Sequence, residues 1–392
     1  MWKLKSPTRM CKNLPAAVLI WLLVLYINGS SHGQISLLHQ AELPIQLEIQ
    51  PYVALSDNAI WLLRYSAHQK PTVECYTLYG KNCDKTRMSF SKFLGDSEEI
   101  YSFSIIADNL LILTSDYVYQ FNIHNKKLLG KSPNNLRYDY VEPIGNNFLL
   151  YKNYNYNPRS DTIKTALAIY NTIDKKISHS IEPKFDFYPA THRVGNFISV
   201  SGDKILFAKT LTFHISIYND QLQLIDSIKL NMDDWKNLPI NTANDISRSF
   251  SQAGGQIKQL IYAFYEVDES ISRIEKVMGS DGTILVSFKK PNDKKAKRHI
   301  IIFQKRTNGW EIQTTQTIEI EPDTESDAVF IPQPRIADSS PMILSKNQLI
   351  IFTTAYLAYP KNLTQKQFYG YQEQFYLKND SKAGVYIYNI NP

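Results

Sequence analysis

Six segments share one build, an apolar run, a polar turn and a second apolar run: Val53-Ala-Leu-Ser-Asp-Asn-Ala-Ile-Trp-Leu-Leu63, Phe103-Ser-Ile-Ile-Ala-Asp-Asn-Leu-Leu-Ile-Leu113, Val141-Glu-Pro-Ile-Gly-Asn-Asn-Phe-Leu-Leu150, Phe197-Ile-Ser-Val-Ser-Gly-Asp-Lys-Ile-Leu-Phe207, Val277-Met-Gly-Ser-Asp-Gly-Thr-Ile-Leu-Val286 and Met342-Ile-Leu-Ser-Lys-Asn-Gln-Leu-Ile-Ile-Phe352. Short apolar runs on either side of Asp, Asn or Gly read as β-hairpins. Recurrence of one hairpin at a spacing of tens of residues is the mark of an array or a propeller, because each unit alone leaves an apolar face uncovered.

Working outward, a third apolar strand follows each hairpin: Val73–Leu78, Tyr117–Asn122, Ala166–Tyr170, His214–Tyr218, His299–Phe303 and Val385–Tyr388. Several end in Tyr or Phe followed by Asn or Gln. Fourth strands are expected at Asn125–Gly130, Asp174–Ser178, Gln221–Ile225 and Asn308–Ile312. Four antiparallel strands make a propeller blade. The sixth unit reaches Pro392 after its third strand, while Ile35–Leu43 is a strand with no hairpin of its own. Joining the two completes the ring and removes two open sheet edges. The expected fold is all-β, a six-bladed β-propeller with blades near 50–95, 99–133, 138–183, 192–231, 272–320 and 335–392 plus 35–46, as a single domain over residues 34–392.

Residues 1–33 stand apart. Lys3, Lys5, Arg9 and Lys12 precede an apolar stretch from Leu14 to Ile27 and the small, polar Asn28–Gly33. That is the pattern of a cleaved signal peptide, and the stretch is shorter than the roughly 20 residues of a bilayer span. The alternative is an uncleaved anchor with the rest outside the cytoplasm, and membrane contact is expected only in that case. Removing the leader's four cations lowers the formal charge from +6 to +2. So small a charge on a chain of this size gives no footprint for nucleic acid. The basic run Lys289–Arg298 is therefore read as a solvated loop. Cys75 and Cys83, with seven residues between them, are expected to form a disulfide across a hairpin in an oxidising compartment.

Asp57-Asn58, Asp108-Asn109 and Asp281-Gly282, with looser versions at Asn146-Asn147, Gly202-Asp203 and Lys346-Asn347, form a strand, turn, strand unit that resembles six-bladed propellers of the TolB-like and NHL-like type, as found in secreted proteins of Bacteroidetes. The resemblance implies architecture and carries over no catalytic residue.

Long connections fall between second and third strands (152–164, 289–298, 354–383) and between blades (183–193, 231–272, 321–341). In an up-and-down blade both kinds emerge on one face, and loops on a rigid scaffold are where binding is usually placed. Candidate binding residues on that face are Tyr154, Tyr156, Arg159, His192, Arg193, Trp235, Arg335, Tyr356, Tyr359, Tyr369 and Tyr371. Tyr and Trp offer rigid surface with a polar tip, and Arg holds carboxylates or phosphates. Ile257, Leu260, Ile261 and Phe264 have helical spacing, so a short helical insertion is expected near 245–266. No catalytic, metal-binding or cofactor motif is present, and no cofactor is expected. The functions that remain are recognition of a peptide, glycan or protein, a small-molecule hydrolase or lyase at the channel mouth, and a scaffold in a cell-envelope complex.

Overall fold

The computed structural model describes residues 35–43, 52–156, 163–183, 197–236, 271–319, 329–335, 342–358 and 383–390, apart from a few positions between 57 and 97 and at 210, 211, 281 and 292–296. These residues form six antiparallel sheets and no helix. The helical insertion expected near 245–266 lies outside the described residues.

Blade 1 is β2 (Tyr52–Leu55), β3 (Ala59–Ser66), β4 (Gln69–Thr77) and the two-residue β5 (Met88–Ser89). Blade 2 is β6 (Ile100–Ile106), β7 (Asn109–Thr114), β8 (Tyr117–Asn122) and β9 (Lys127–Pro133). Blade 3 is β10 (Tyr140–Ile144), β11 (Asn147–Tyr156), β12 (Ile163–Asn171) and β13 (Lys176–Ile181). Blade 4 is β14 (Ile198–Ser201), β15 (Lys204–Lys209), β16 (His214–Asn219) and β17 (Leu224–Lys229). Blade 5 is β18 (Arg273–Ser280), β19 (Thr283–Lys289), β20 (Lys297–Arg306) and β21 (Gly309–Glu319). Blade 6 holds β22 (Val329–Arg335), β23 (Met342–Ser345), β24 (Gln348–Ala358), β25 (Ala383–Ile390) and, as its outer strand, β1 (Ile35–Leu43).

The expected closure is present. β1 pairs antiparallel with β25 from Ile35 opposite Ile390 to Leu43 opposite Ala383. First strands of successive blades from 1 to 6 touch one another and so lie innermost in the ring. Apolar residues alternate to both faces of each sheet, so every junction between blades becomes a core. One cluster fills each of the junctions 1/2, 2/3, 5/6 and 6/1, and a single larger cluster runs through 3/4 and 4/5. Each fully buried Leu, Ile or Phe contributes about 1.5–3 kcal/mol relative to its exposed state, so the junctions supply most of the apolar stabilisation.

Turn chemistry explains the repeat. The two-residue turns between first and second strands place Gly145 (φ 53°) and Gly202 (φ 63°) in the left-handed region, and Ala107 (φ 48°) and Lys346 (φ 50°) at the same place in blades 2 and 6. The Asn that follows the aromatic residue of the third strand organises the next turn. Asn122 Oδ1 accepts from Asn125 N–H, Asn171 Oδ1 from Ile173 and Asp174 N–H, and Asn219 Oδ1 from Gln221 and Gln223 N–H. These are Asx turns, in which the side chain takes over a backbone acceptor role.

Three details depart from the sequence reading. The third strand of blade 1 leads into a hairpin pinned by the Cys75–Cys83 disulfide, with Cys83 N–H donating to Cys75 O (3.0 Å), so its fourth strand comes late and is very short. The first strand of blade 6 is split, with β22 and β23 each pairing with part of β24. Lys289 is not in a solvated loop, because it ends β19 and is only 5% exposed.

Candidate functional site

Since each strand reverses direction, connections from second to third strands and from blade to blade leave on one face. The described residues at their bases show what that face is built on. At the junction of blades 4 and 5, Phe213 precedes β16, Phe288 lies in β19, and Trp235 follows β17. The Trp235 ring stands 5.4 Å from Phe213 at 80° and 5.7 Å from Phe288 at 42°, distances typical of tilted aromatic pairs. The backbone around it is fixed, since Trp235 N–H donates to Met232 O (3.0 Å), Lys236 N–H to Ser272 Oγ (2.9 Å) and Ser272 N–H to Lys236 O (2.8 Å). Phe288 also stacks on His299 (5.2 Å, 26°), whose Nδ1 is 3.2 Å from Thr317 Oγ1.

An ion pair stands beside this aromatic floor. Lys290 bonds Asp234, and that ammonium holds the exposed Asp234 carboxyl below the usual carboxylate range. On the blade 6 side of the same sheet, Arg273 lies opposite Lys289 and Lys276 opposite Ser287. Arg273 donates through Nε (3.2 Å) and Nη2 (3.0 Å) to Glu275 Oε1. Lys276 is as buried as Lys289. Lysines this buried are engaged with polar or charged groups, because a bare ammonium in an apolar setting costs far too much.

A second polar centre lies at the junction of blades 3 and 4. Glu142, on the first strand of blade 3, accepts from Tyr151 OH (2.9 Å) and from Val200 N–H of the next blade (3.0 Å). Burial pushes its carboxyl up to about 7, against the lowering effect of those two bonds. Tyr151, stacked on Tyr140 at 5.1 Å, is driven well above its ordinary value by burial and by Glu142. At blade 2, Glu98 is held by Thr114 Oγ1 (2.9 Å) and Tyr119 OH (2.7 Å), a fully formed structural knot.

Of the residues expected from sequence, Trp235 is described with its side chain and belongs mainly to the core cap. Tyr154 and Tyr156 lie on β11, in a ladder that continues to Tyr156 opposite Ile163, rather than in an irregular loop. Arg335 and Tyr356 share the ladder of β22 and β24, opposite Thr354 and Ile331. Arg159, His192, Arg193, Tyr359, Tyr369 and Tyr371 lie outside the described residues. Sequence reasoning missed Glu142, Lys276 and Lys289. An acid or a lysine inside an otherwise apolar first or second strand was the available signal. Among the described residues, no group of three or more His, Cys, Asp and Glu is placed to hold a metal ion.

The fold has a solved counterpart. The chain shares its architecture with an exported protein of Bacteroides fragilis. That crystal structure superposes with a TM-score of 0.53 and 12% identity, over 94% of this chain and 98% of the other. The WD40 domain of Toxoplasma gondii coronin (TM-score 0.38, 10% identity, 85% and 74% covered) and that of Neurospora crassa Pan2 (0.38, 8%, 92% and 96%) are more distant. No family model matches the chain, and no curated protein is similar to it in sequence.

Proposed function

We propose that this chain is an exported, non-enzymatic recognition protein that binds a peptide, glycan or protein partner on the long-loop face of the ring. The observation that carries this reading is the base of those loops at blades 4 and 5. There Trp235, Phe213, Phe288 and His299 form a fixed aromatic base with the Lys290–Asp234 ion pair beside it. A partly exposed Trp seated on a buried aromatic base, with an exposed ion pair beside it, is the kind of rigid anchor found at interface centres, where Trp is enriched. Export is supported by the Cys75–Cys83 disulfide, by the basic and then apolar leader, and by the exported neighbour with the same fold. The TolB-like or NHL-like subtype is part of the same proposal.

The test is binding of the chain to peptide and glycan arrays, repeated with Lys290→Glu and Trp235→Ala. Loss of a ligand class in both variants, at unchanged unfolding midpoint for Lys290→Glu, supports the reading. Binding that ignores both changes moves the site elsewhere.

One observation favours a second reading, a hydrolase or lyase working at the channel. Glu142 is a carboxylic acid on an innermost strand with its pKa raised to about 7, which suits general acid or base work. Turnover of a small ester or uronide substrate that disappears in Glu142→Gln would establish it, with His192, Arg193 and Arg335 as the next residues to change.

A further inference from the structure

The face opposite the long loops is well described, and it has its own pattern. Every blade exposes a large apolar side chain near the short-turn end of its third or outer strand, and blade 4 exposes two. In chain order from blade 1 these are Tyr79 (68% exposed), Leu128, Ile173 (85%), Leu224 (61%) with Ile225 (50%), and Ile312, with Leu38 (58%) on β1 for blade 6. Leu38 stands out because β1 bulges between Leu37 and His39, leaving it without a partner opposite. A bulge on an edge strand re-aims a side chain in this way. Tyr79 is held at the tip of the disulfide-pinned hairpin, edge-on to His39 at 4.9 Å. Leu136 is the other large apolar residue exposed among the described residues, and it lies toward the long-loop side.

Each of these apolar positions has a cation on the same face of its own blade. Lys81, Lys127, Lys175, Lys204, Lys305 and Lys346 are exposed at the short turns, with Lys126, Lys176 and Arg306 beside them. Asp174, Asp203 and Asp220 temper this charge. Asp108 is engaged by His124 (2.8 Å), and Asp226 by Lys305 (2.6 Å) and Trp310 (3.1 Å). With Glu311 also on this face, the cations still outnumber the acids among the described residues.

The chain also enters the ring on this face. Ile35 pairs with Ile390, and Ile390 N–H donates to Asn347 O in the short turn of blade 6. The basic and apolar leader therefore joins the ring at its short-turn side.

We propose that the short-turn face is a membrane-apposed surface that rests on anionic lipid. The exposed apolar side chains dip into the headgroup boundary and the lysines meet the lipid phosphates. Apolar groups flanked by cations bind an anionic interface by adding hydrophobic burial to electrostatic attraction, and each Lys near such a surface adds to it. A leader still in the bilayer would present the same face to it, and leave the long-loop face open to its partner. This surface lies on the opposite side of the ring from the proposed recognition site, so either proposal can fail without the other.

The experiment is co-sedimentation of residues 34–392 with phosphatidylglycerol/phosphatidylethanolamine vesicles, and with phosphatidylcholine vesicles as the neutral comparison. All described strands, and the closure, lie within residues 35–390, so this chain carries the whole described ring. Binding is expected to anionic vesicles, to weaken with salt, and to fall roughly tenfold or more in Lys175→Glu/Lys176→Glu. It should fall severalfold in Leu128→Ser/Ile173→Ser and be unchanged in Leu136→Ser. Unfolding midpoints check that the variants fold. No binding to anionic vesicles at low salt overturns the proposal, as does equal weakening by Leu136→Ser. A dimer seen by light scattering that Leu128→Ser/Ile173→Ser dissolves, with no vesicle binding, overturns it in favour of an interface between two copies.

Discussion

The junctions formed mid-chain and the junction formed by the two termini are held in different ways. Between blades 4 and 5 a close steric fit and a polar tie are added to the apolar cluster. Gly279 on β18 lies so close to blade 4 that a Cβ would stand 2.6 Å from Leu206 Cδ1 and 2.7 Å from Ser201 Cβ. On the rim, Asp226 ties Lys305 and Trp310 across the same junction. Between blades 6 and 1 the cluster of Leu43, Ile60, Leu62, Phe352, Val385 and Ile387 is apolar, and blade 6 is itself completed by a backbone ladder from the far end of the chain. Junctions that are local in sequence can rely on close fit, whereas the closing one needs a whole strand, because only a ladder brings segments over 300 residues apart into a fixed register.

Removing β1 tests that difference most severely. Deleting residues 35–43 exposes the edge of β25 and strips Ile35 and Leu43 from two cores. The expected loss is about 3–6 kcal/mol from the burial of these two side chains alone, with aggregation through the open edge. Urea unfolding and soluble yield would show it, and a deletion that left the midpoint in place would break the comparison.

The junction of blades 3 and 4 should respond to pH. The Glu142 carboxyl titrates near 7 in the folded chain, above its ordinary 4.5. The folded state therefore holds the proton more tightly, and its contribution is fully present below about 4.5 and lost as pH rises through about 7. That amounts to as much as about 3 kcal/mol between pH 4.5 and 8. Glu142→Gln should flatten the pH dependence of the urea midpoint and stabilise the chain at pH 8 relative to wild type. An equal slope in both proteins would remove Glu142 from the account.

Gly279→Ala forces a shift of Leu206 or Ser201 and should cost about 1–3 kcal/mol. The same change at Gly145, whose added Cβ meets nothing within 4 Å, brings only the penalty of its left-handed φ, about 1 kcal/mol. Equal losses at the two sites would deny that close approach matters at junction 4/5. Cys75→Ser, opening a closed loop of about nine residues, should cost about 2–3 kcal/mol in the loop-entropy account, read as the shift in unfolding midpoint on adding a reductant to wild type. The smallest effect is Lys346→Gly, which relieves a left-handed non-Gly residue in blade 6 and should gain a few tenths of a kcal/mol.

The fold was legible because its signals are local and repeated. A polar turn between two apolar runs states its hairpin in about ten residues, and a spare strand at one end matched a missing one at the other. Blade 1 hid its fourth strand because Met88-Ser89 is too short to show a period, and the split first strand of blade 6 broke the one repeat that would have announced it. The site was less legible for a physical reason. Glu142, Lys276 and Lys289 acquire their character from burial between blades, and burial is a property of the assembled ring. Trp235 was visible as a large aromatic residue in a long connection, but its contacts with Phe213 and Phe288 depend on two blades meeting.

The pairing of β1 with β25 has a consequence for synthesis. The strand that completes the ring, β1, leaves the ribosome before every other described strand, and its partner β25 leaves after all of them. A product that terminates early cannot latch, however well its other blades have folded, and leaves unpaired edges for proteases to find. Closure thus requires one chain to carry both β1 and β25, whatever lies between them.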